Sequence, residues 1–211
     1  MGSPVPKSQP HDQRPVVAFD FDGTLTTRDS FTAFLAWREG AVRYAVGLLR
    51  LVPELALYMV LRDRGRLKAA AAKEFLSGLS PLKLAEDADA FAEFAAPRLL
   101  RPDALATWRQ WKESGAMMVI VTASPEAIVE PFARRLRADG LIATQLQTDK
   151  NGRITGALDG ANCRGIEKVR RITDHFGTDF SLAAAYGDTS GDREMLQMAH
   201  VRGYRLFKGK P

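Results

Sequence analysis

The first apolar run of the chain is Val16-Val17-Ala18-Phe19, and it ends in Asp20. A short unbroken apolar run closed by an acid and by Asp22-Gly23-Thr24 predicts a buried parallel strand. Ser30 is placed to cap a helix that carries Phe31, Phe34 and Leu35 as far as Gly40. From 41 to 61 the chain is almost continuously apolar, interrupted by Arg43, Arg50, Pro53 and Glu54. Helices are expected over 66–77 and 81–100, and Pro102 suits the start of another through Leu105, Trp108 and Trp111 to Gly115. The rhythm then changes to strand and helix in alternation. Residues 116–121 form a second apolar strand, 125–138 a helix, and 141–148 with 153–158 flank Asn151-Gly152, a strong hairpin signal. A helix over 164–176, a third apolar strand over 182–186 leading to Asp188, a helix from Asp192 and a last strand over 201–207 complete the chain.

Alternation of this kind implies an α/β fold, a Rossmann-like parallel sheet with helices on both faces. It is confined to 15–30 and 102–211. The all-helical block over 31–101 interrupts it after the first strand and reads as a small cap on that core. Residues 1–14 carry three prolines, with a fourth at Pro15, and no apolar run. They read as a disordered tail rather than a secretory signal, so the expected compartment is cytoplasmic.

Composition narrows the classes. With 45% hydrophobic and 26% charged residues the chain is an ordinary globular protein rather than a disordered one. One cysteine excludes a disulfide scaffold and a cysteine-rich zinc domain. Three scattered histidines argue against a histidine-built metal site. The net charge of +5 favours anionic partners: phosphates, acidic lipids or nucleic acid.

In open parallel sheets ligands bind beyond the carboxyl ends of the strands. Three strand ends here carry Asp20-Phe21-Asp22-Gly23-Thr24, Thr122-Ala123-Ser124 and Gly187-Asp188-Thr189-Ser190-Gly191-Asp192. Four carboxylates around one crevice repel each other. A hard divalent cation relieves that repulsion, and oxygen-only ligands suit Mg²⁺. Lys168, early in the helix before the third strand, is the candidate counter-charge. The alternative reading makes these acids helix caps and Lys168, Arg164, Arg170 and Arg171 solvated surface residues.

Asp20-Phe21-Asp22-Gly23-Thr24-Leu25-Thr26 resembles the first motif of the haloacid dehalogenase-like (HAD) phosphohydrolases, and Val119 to Thr122 their second. Lys168 is similar to the third, and Gly187-Asp188 with Asp192 to the acidic fourth. The helical insert resembles the cap of the phosphoserine-phosphatase-like subfamily IB. The resemblance implies a phosphomonoesterase. Asp20 would be the nucleophile that forms an aspartyl-phosphate, and Asp22 the general acid and base. Mg²⁺ would be held by Asp20, the Asp22 carbonyl, Asp188 and Asp192. Thr122, Ala123 and Lys168 would bind the phosphoryl group. Phosphoserine phosphatases commonly carry Gly and Asn where this chain has Ala123 and Gly191. Asp29 stands where they place an acid for the substrate amino group; it is a substrate-binding candidate, or a cap of the helix at Ser30.

The stretch 41–61 is more apolar than a cap over phosphoserine requires. It reads either as a buried helical hairpin bent near Pro53 or as an interfacial, peripheral membrane contact flanked by Arg62, Arg64, Arg66 and Lys68. Bacterial phosphatidylglycerophosphate phosphatases of the HAD type carry an apolar segment at this place, so a lipid head group stands beside a phosphorylated small molecule as the expected substrate. The rival classes are a phosphotransferase that shares the aspartyl-phosphate, and an anion- or nucleic-acid-binding protein. No nucleic-acid partner is expected, because the chain has no recognised RNA or DNA motif.

Overall fold

A computed structural model describes residues 14–177 and 180–211. Residues 1–13 of the expected tail lie outside the described residues. Six strands form one sheet in the order β4-β3-β2-β1-β5-β6. They are β1 Val16–Phe19, β2 Met117–Pro125, β3 Gly140–Thr148, β4 Ile154–Asp159, β5 Leu182–Gly187 and β6 Ala199–Tyr204. All pairings are parallel except β3 with β4, the hairpin that turns at Asn151-Gly152. There Asp149 Oδ1 accepts the N–H groups of Asn151 and Arg153, and Gly152 takes the positive φ of 71° that the turn needs.

Strand β1 is central, between β2 and β5, and all four of its residues are buried. Its alternating side chains serve two cores. Val17 and Phe19 face α5 (Pro102–Glu113) and α6 (Glu126–Leu136), where Trp108 and Phe132 pack. Val16 and Ala18 face α7 (Ile166–Phe176) and α8 (Arg193–Gln197), with Ile172 and Met195. Trp108 and Trp111 are core residues whose indole N–H groups donate to Leu136 O and to the Tyr186 hydroxyl, at 3.1 and 2.8 Å. Cys163 is buried beside Ile142.

Between β1 and α5 lie α1 Ser30–Arg50, α2 Val52–Leu61, α3 Arg64–Leu76 and α4 Pro81–Leu99. Helix α1 is broken at Gly40, whose φ of 70° and ψ of 167° leave the helical region. Its first half and α4 share the main core through an aromatic chain. Phe21 packs on Phe132 at 5.3 Å between ring centres, Phe132 on Phe91 at 5.9 Å, and Phe91 on Phe34 at 5.5 Å. A second tie runs to the hairpin. Gly78 N–H donates to Ile154 O and Ile154 N–H to Leu79 O, at 2.8 and 2.9 Å.

Three expectations need correction. The cap of α1 is Asp29, not Ser30: its carboxylate accepts the Thr32 N–H at 2.8 Å, one place earlier than the serine-based reading. Strand β2 runs on past Val121 to Pro125, with a register shift that places Thr122, Ala123 and Ser124 in a bulge. The stretch 41–61 is not a buried hairpin. It bends by 56° between α1 and α2, and apart from Tyr44 and Leu51, which pack on the core, most of its large apolar side chains face outward: Leu49 is 71% and Val60 78% exposed. No single described helix is long and apolar enough to cross a membrane.

Candidate active site

The carboxyl ends of β1, β2 and β5 converge on a cleft of ≈ 400 Å³. Asp20 leaves β1 directly, its backbone N–H held by Tyr186 O at 2.8 Å. The tight turn Phe21–Leu25 follows and brings Asp22 back toward the cleft. Asp188 follows β5, and Asp192 ends a short 3₁₀ turn, Ser190–Asp192. One oxygen each from Asp20, Asp188 and Asp192 lies within 4.8 Å of the others.

Lys168 is the buried counter-charge. Its ammonium donates to Asp20 Oδ1 at 2.6 Å, to Asp192 Oδ1 at 2.7 Å and to Val121 O at 2.6 Å. The surface reading of Lys168 is therefore excluded; the side chain is 1% exposed. Burial pushes the Asp20 carboxyl up to about 7, against the pull of Lys168, with Asp192 adding to the rise. Burial acts upward on Asp192 as well, but Lys168 and the Thr189 donors outweigh it and hold Asp192 below the usual carboxylate range. Lys168 itself is held above the ordinary lysine range, because Asp20 and Asp192 outweigh the cost of burial.

The Asp22 carboxylate is turned to the cap side. It accepts the Ser30 N–H at 2.6 Å and the Ser124 hydroxyl. Burial and then the negative charge of Asp29 raise its pKa. Thr122 is fully buried and its Oγ1 accepts the Ser124 N–H at 3.0 Å. Thr122, Ala123 and Asp29 all line the cleft. Asp29 does so while its Oδ1 accepts the Thr32 N–H and hydroxyl, so it fills the cap role.

Asp188 fits a metal ligand. Burial and Asp192 raise its pKa, and its Oδ1 is buried with no hydrogen-bond partner among the described residues. Gly23 makes room for it: a Cβ at that position would lie 2.3 Å from Asp188 Oδ2. An oxygen-only set of clustered acids with one orphaned carboxylate oxygen suits Mg²⁺. Asp192 differs, since its Oδ2 already accepts from Thr189 N–H at 2.9 Å and Thr189 Oγ1 at 2.8 Å.

Four basic cleft residues escaped the reading of the sequence as site residues. Lys68 reaches in from α3 and donates to Ala123 O at 2.8 Å. Arg101, just before α5, donates to Thr26 O at 3.0 Å and lines the cleft with Arg28. Arg164, expected on the surface, donates to Thr189 Oγ1 at 3.3 Å and to Ser190 Oγ at 3.0 Å. The space is available because Gly191 has no side chain; a Cβ there would meet the Arg164 guanidinium at 2.4 Å. Arg170 remains in a surface pair with Glu167, whereas Arg171 is half-buried and donates to Glu167, Ala143 O and Ala161 O.

A parallel sheet with carboxylates at the ends of β1 and β5, a buried lysine between them and a helical insert after β1 defines a haloacid dehalogenase-like hydrolase. The model of that family, the haloacid dehalogenase-like hydrolases, matches residues 17–197, and the chain belongs to it. It is 60% identical over 196 residues to Protein CicA of Caulobacter vibrioides (strain NA1000 / CB15N), covering 93% of this chain and 88% of that one. Among solved structures, a protein of unknown function from Bordetella pertussis Tohama I superposes with a TM-score of 0.74 at 25% identity, covering 87% of this chain and 86% of that one. A substrate-bound phosphoserine phosphatase shares the fold with a TM-score of 0.62 at 18% identity, covering 92% of this chain and 86% of that one.

Proposed function

We propose that the protein is a Mg²⁺-dependent phosphomonoesterase that works through an aspartyl-phosphate on Asp20. The observation that carries this reading is the oxygen cluster of Asp20, Asp188 and Asp192, with Lys168 on Asp20 and the separately held Asp22 in the same cleft. Asp20, the Asp22 carbonyl and Asp188 would hold the ion, with Asp192 behind them. When bound, Mg²⁺ supplies positive charge that offsets the approach of one anion to another.

An Asp20 carboxylate oxygen attacks phosphorus and the ester P–O bond breaks. Asp22, whose raised pKa favours the protonated form, gives its proton to the leaving oxygen. The same carboxylate then takes a proton from water, which attacks phosphorus and releases phosphate and free Asp20. Lys168, Thr122 and the backbone at Ala123 face the phosphoryl oxygens and stabilise the charge that develops on them. Ser30 N–H and the Ser124 hydroxyl orient Asp22, so the first turn of α1 is part of the acid–base apparatus.

The substrate is a phosphorylated small molecule or a lipid head group, and the compartment is cytoplasmic. Phosphoserine is one candidate, supported by the fold of the neighbours and by Asp29 in the cleft wall. A lipid phosphate of the phosphatidylglycerophosphate kind is the other, supported by the outward-facing apolar residues of 41–61, through which a peripheral membrane contact would run. A phosphotransferase would use the same residues with an alcohol in place of water.

The test is a panel of phosphoserine, sugar phosphates, nucleotides and phosphatidylglycerophosphate, with Asp20→Asn as control and excess EDTA as a second arm. Release of phosphate by the native protein alone, lost in EDTA, is expected. Equal turnover by Asp20→Asn would remove Asp20 as nucleophile. Phosphate passed to an added alcohol rather than to water would identify the phosphotransferase.

A further inference from the structure

Helix α2, residues Val52–Leu61, has no buried residue, and seven of its ten side chains are alanine or larger aliphatic and thioether groups. A helix that is apolar around its circumference normally lies inside a protein core or in lipid. Here it lies on the surface, continuous with the second half of α1, where Val42 and Leu49 are 78% and 71% exposed. A few contacts hold the pair on α3, among them Tyr44 on the Phe75 ring at 5.5 Å and the Arg50–Glu74 ion pair at 2.9 Å. Gly47 sits against the Phe75 ring, so closely that a Cβ would lie 2.3 Å from it, and Glu54 accepts from Arg66 at 3.0 Å.

Charge favours one occupant for this face. Residues 41–68 hold six Lys or Arg against two Asp or Glu; Glu54 is engaged by Arg66 and Asp63 in capping α3, while Arg43 and Arg50 pair with Glu39 and Glu74 yet stay 82% and 69% exposed. An anionic surface complements such a segment. A second copy of the chain would bring base against base across a two-fold axis. A flat protein surface would cover only one side of α2.

The segment also adjoins the cleft. The turn after α2 leads straight into α3, and Lys68, which lines the cleft, lies four residues into that helix from Arg64, about 6 Å of helical rise. The start of α3 abuts the cleft rim, since a Cβ on Gly65 would contact Asn162 Cβ at 3.5 Å. Interfacial helices bury their apolar surface to a depth of about 5–10 Å. A head group at that depth is therefore within reach of the cleft mouth.

We infer that 41–61 docks the protein on an anionic bilayer and that the substrate is a phosphate monoester carried by that bilayer. The substrate half of this inference rests on the phosphatase reading; the docking half does not.

Flotation with phosphatidylcholine vesicles, with and without phosphatidylglycerol, tests the docking. The native protein is expected to float with the anionic vesicles, less so at high salt. The double variant Leu49→Glu, Val60→Glu changes two exposed side chains and should partition about tenfold or more weakly. Its turnover of soluble p-nitrophenyl phosphate should be unchanged, while turnover of phosphatidic acid presented in the same vesicles falls about as much as its partition. Failure of the native protein to float, or equal flotation of the variant, overturns the docking. A dimer that the variant dissociates, with no flotation, overturns it in favour of a second copy. Turnover of p-nitrophenyl phosphate but not of vesicle-borne phosphatidic acid by the native protein overturns the lipid substrate. Flotation without turnover of either probe supports the docking and overturns the phosphatase reading.

Discussion

The Lys168 ammonium lies 2.6 Å from Asp20 Oδ1, and from the same nitrogen Asp192 Oδ1 is 2.7 Å away. One cation thus binds the acid that ends β1 to the acid that follows β5. Removing one partner of a buried ion pair leaves a charge uncompensated, at a cost of about 3–5 kcal/mol. Lys168→Met is expected to lower the stability of the metal-free protein by that order, measured by denaturant unfolding in EDTA. Mg²⁺ should recover part of the loss, because an ion that binds only the folded state adds stability. Turnover should remain depressed, by about a hundredfold or more, with Mg²⁺ saturating.

Gly23 lies between the two acids of the first strand end and Asp188. Its φ of 82° disfavours any residue with a Cβ, and that Cβ would sit 2.3 Å from Asp188 Oδ2. Gly23→Ala must move Asp188, the turn, or both. Backbone strain of this type costs about 1–3 kcal/mol. The expected result is a modest loss of stability combined with weaker Mg²⁺ activation, read from the Mg²⁺ concentration for half-maximal rate. Unchanged Mg²⁺ dependence would show that Asp188 does not serve the ion.

Much of this site was legible because acids that interrupt apolar strands stand out. Asp20 and Asp188 end or follow buried runs, and that placement carries them to one edge of the sheet whatever the details of packing. Lys168 was legible as the counter-charge that clustered acids require and by resemblance, and only the structure shows why it is not on the surface: α7 turns it inward to two carboxylates and the Val121 carbonyl. Lys68, Arg101 and Arg164 were not legible as site residues. Each sits among ordinary polar neighbours in the sequence, and each enters the cleft through a tertiary approach that no local period encodes. The stretch 41–61 misled for a different reason. Apolar density and Pro53 predict a bent helix pair correctly, but density alone does not say whether such a pair is covered. Helix α2 differs from the core helices in being apolar on all sides, and its outward position follows from the few residues that α3 offers it, chiefly Arg66 and Leu67.

Arg164 occupies the room left by Gly191, where phosphoserine phosphatases commonly place an asparagine. Its guanidinium is fixed by Thr189 and Ser190 at the cleft wall and supplies donors of the kind phosphate oxygens accept. Arg164→Ala is expected to raise KM for a phosphomonoester by about tenfold, the loss of one charge-assisted hydrogen bond, with a smaller effect on kcat. The folded protein should be little affected, since both partners are hydroxyls near the surface. A fall in kcat at unchanged KM would instead place Arg164 among the groups that act only in the transition state.

Asp103 secures the end of the chain to the start of α5. Its Oδ2 accepts the N–H groups of Lys208 and Gly209 at 2.7 and 2.8 Å, and its Oδ1 accepts the Ala104 N–H at 2.9 Å. Burial acts upward on its pKa, but these donors, Gly209 first, outweigh it and hold the carboxyl below its ordinary 3.8. A depressed folded-state pKa means that the ionised form favours folding. The contribution is complete above the unfolded value of about 4 and is lost as pH falls below it toward the folded value. Asp103→Ala should therefore cost on the order of 1 kcal/mol at neutral pH, and the difference from the native protein should close as pH falls below about 4. Phe207 packs on Phe19 and Tyr186 just before this tether, at ring-centre distances of 6.1 and 5.4 Å. Release of the tether should thus also speed amide exchange at 207–209, and a constant stability difference across the acid range would mean that packing, not the charged acceptor, holds this segment.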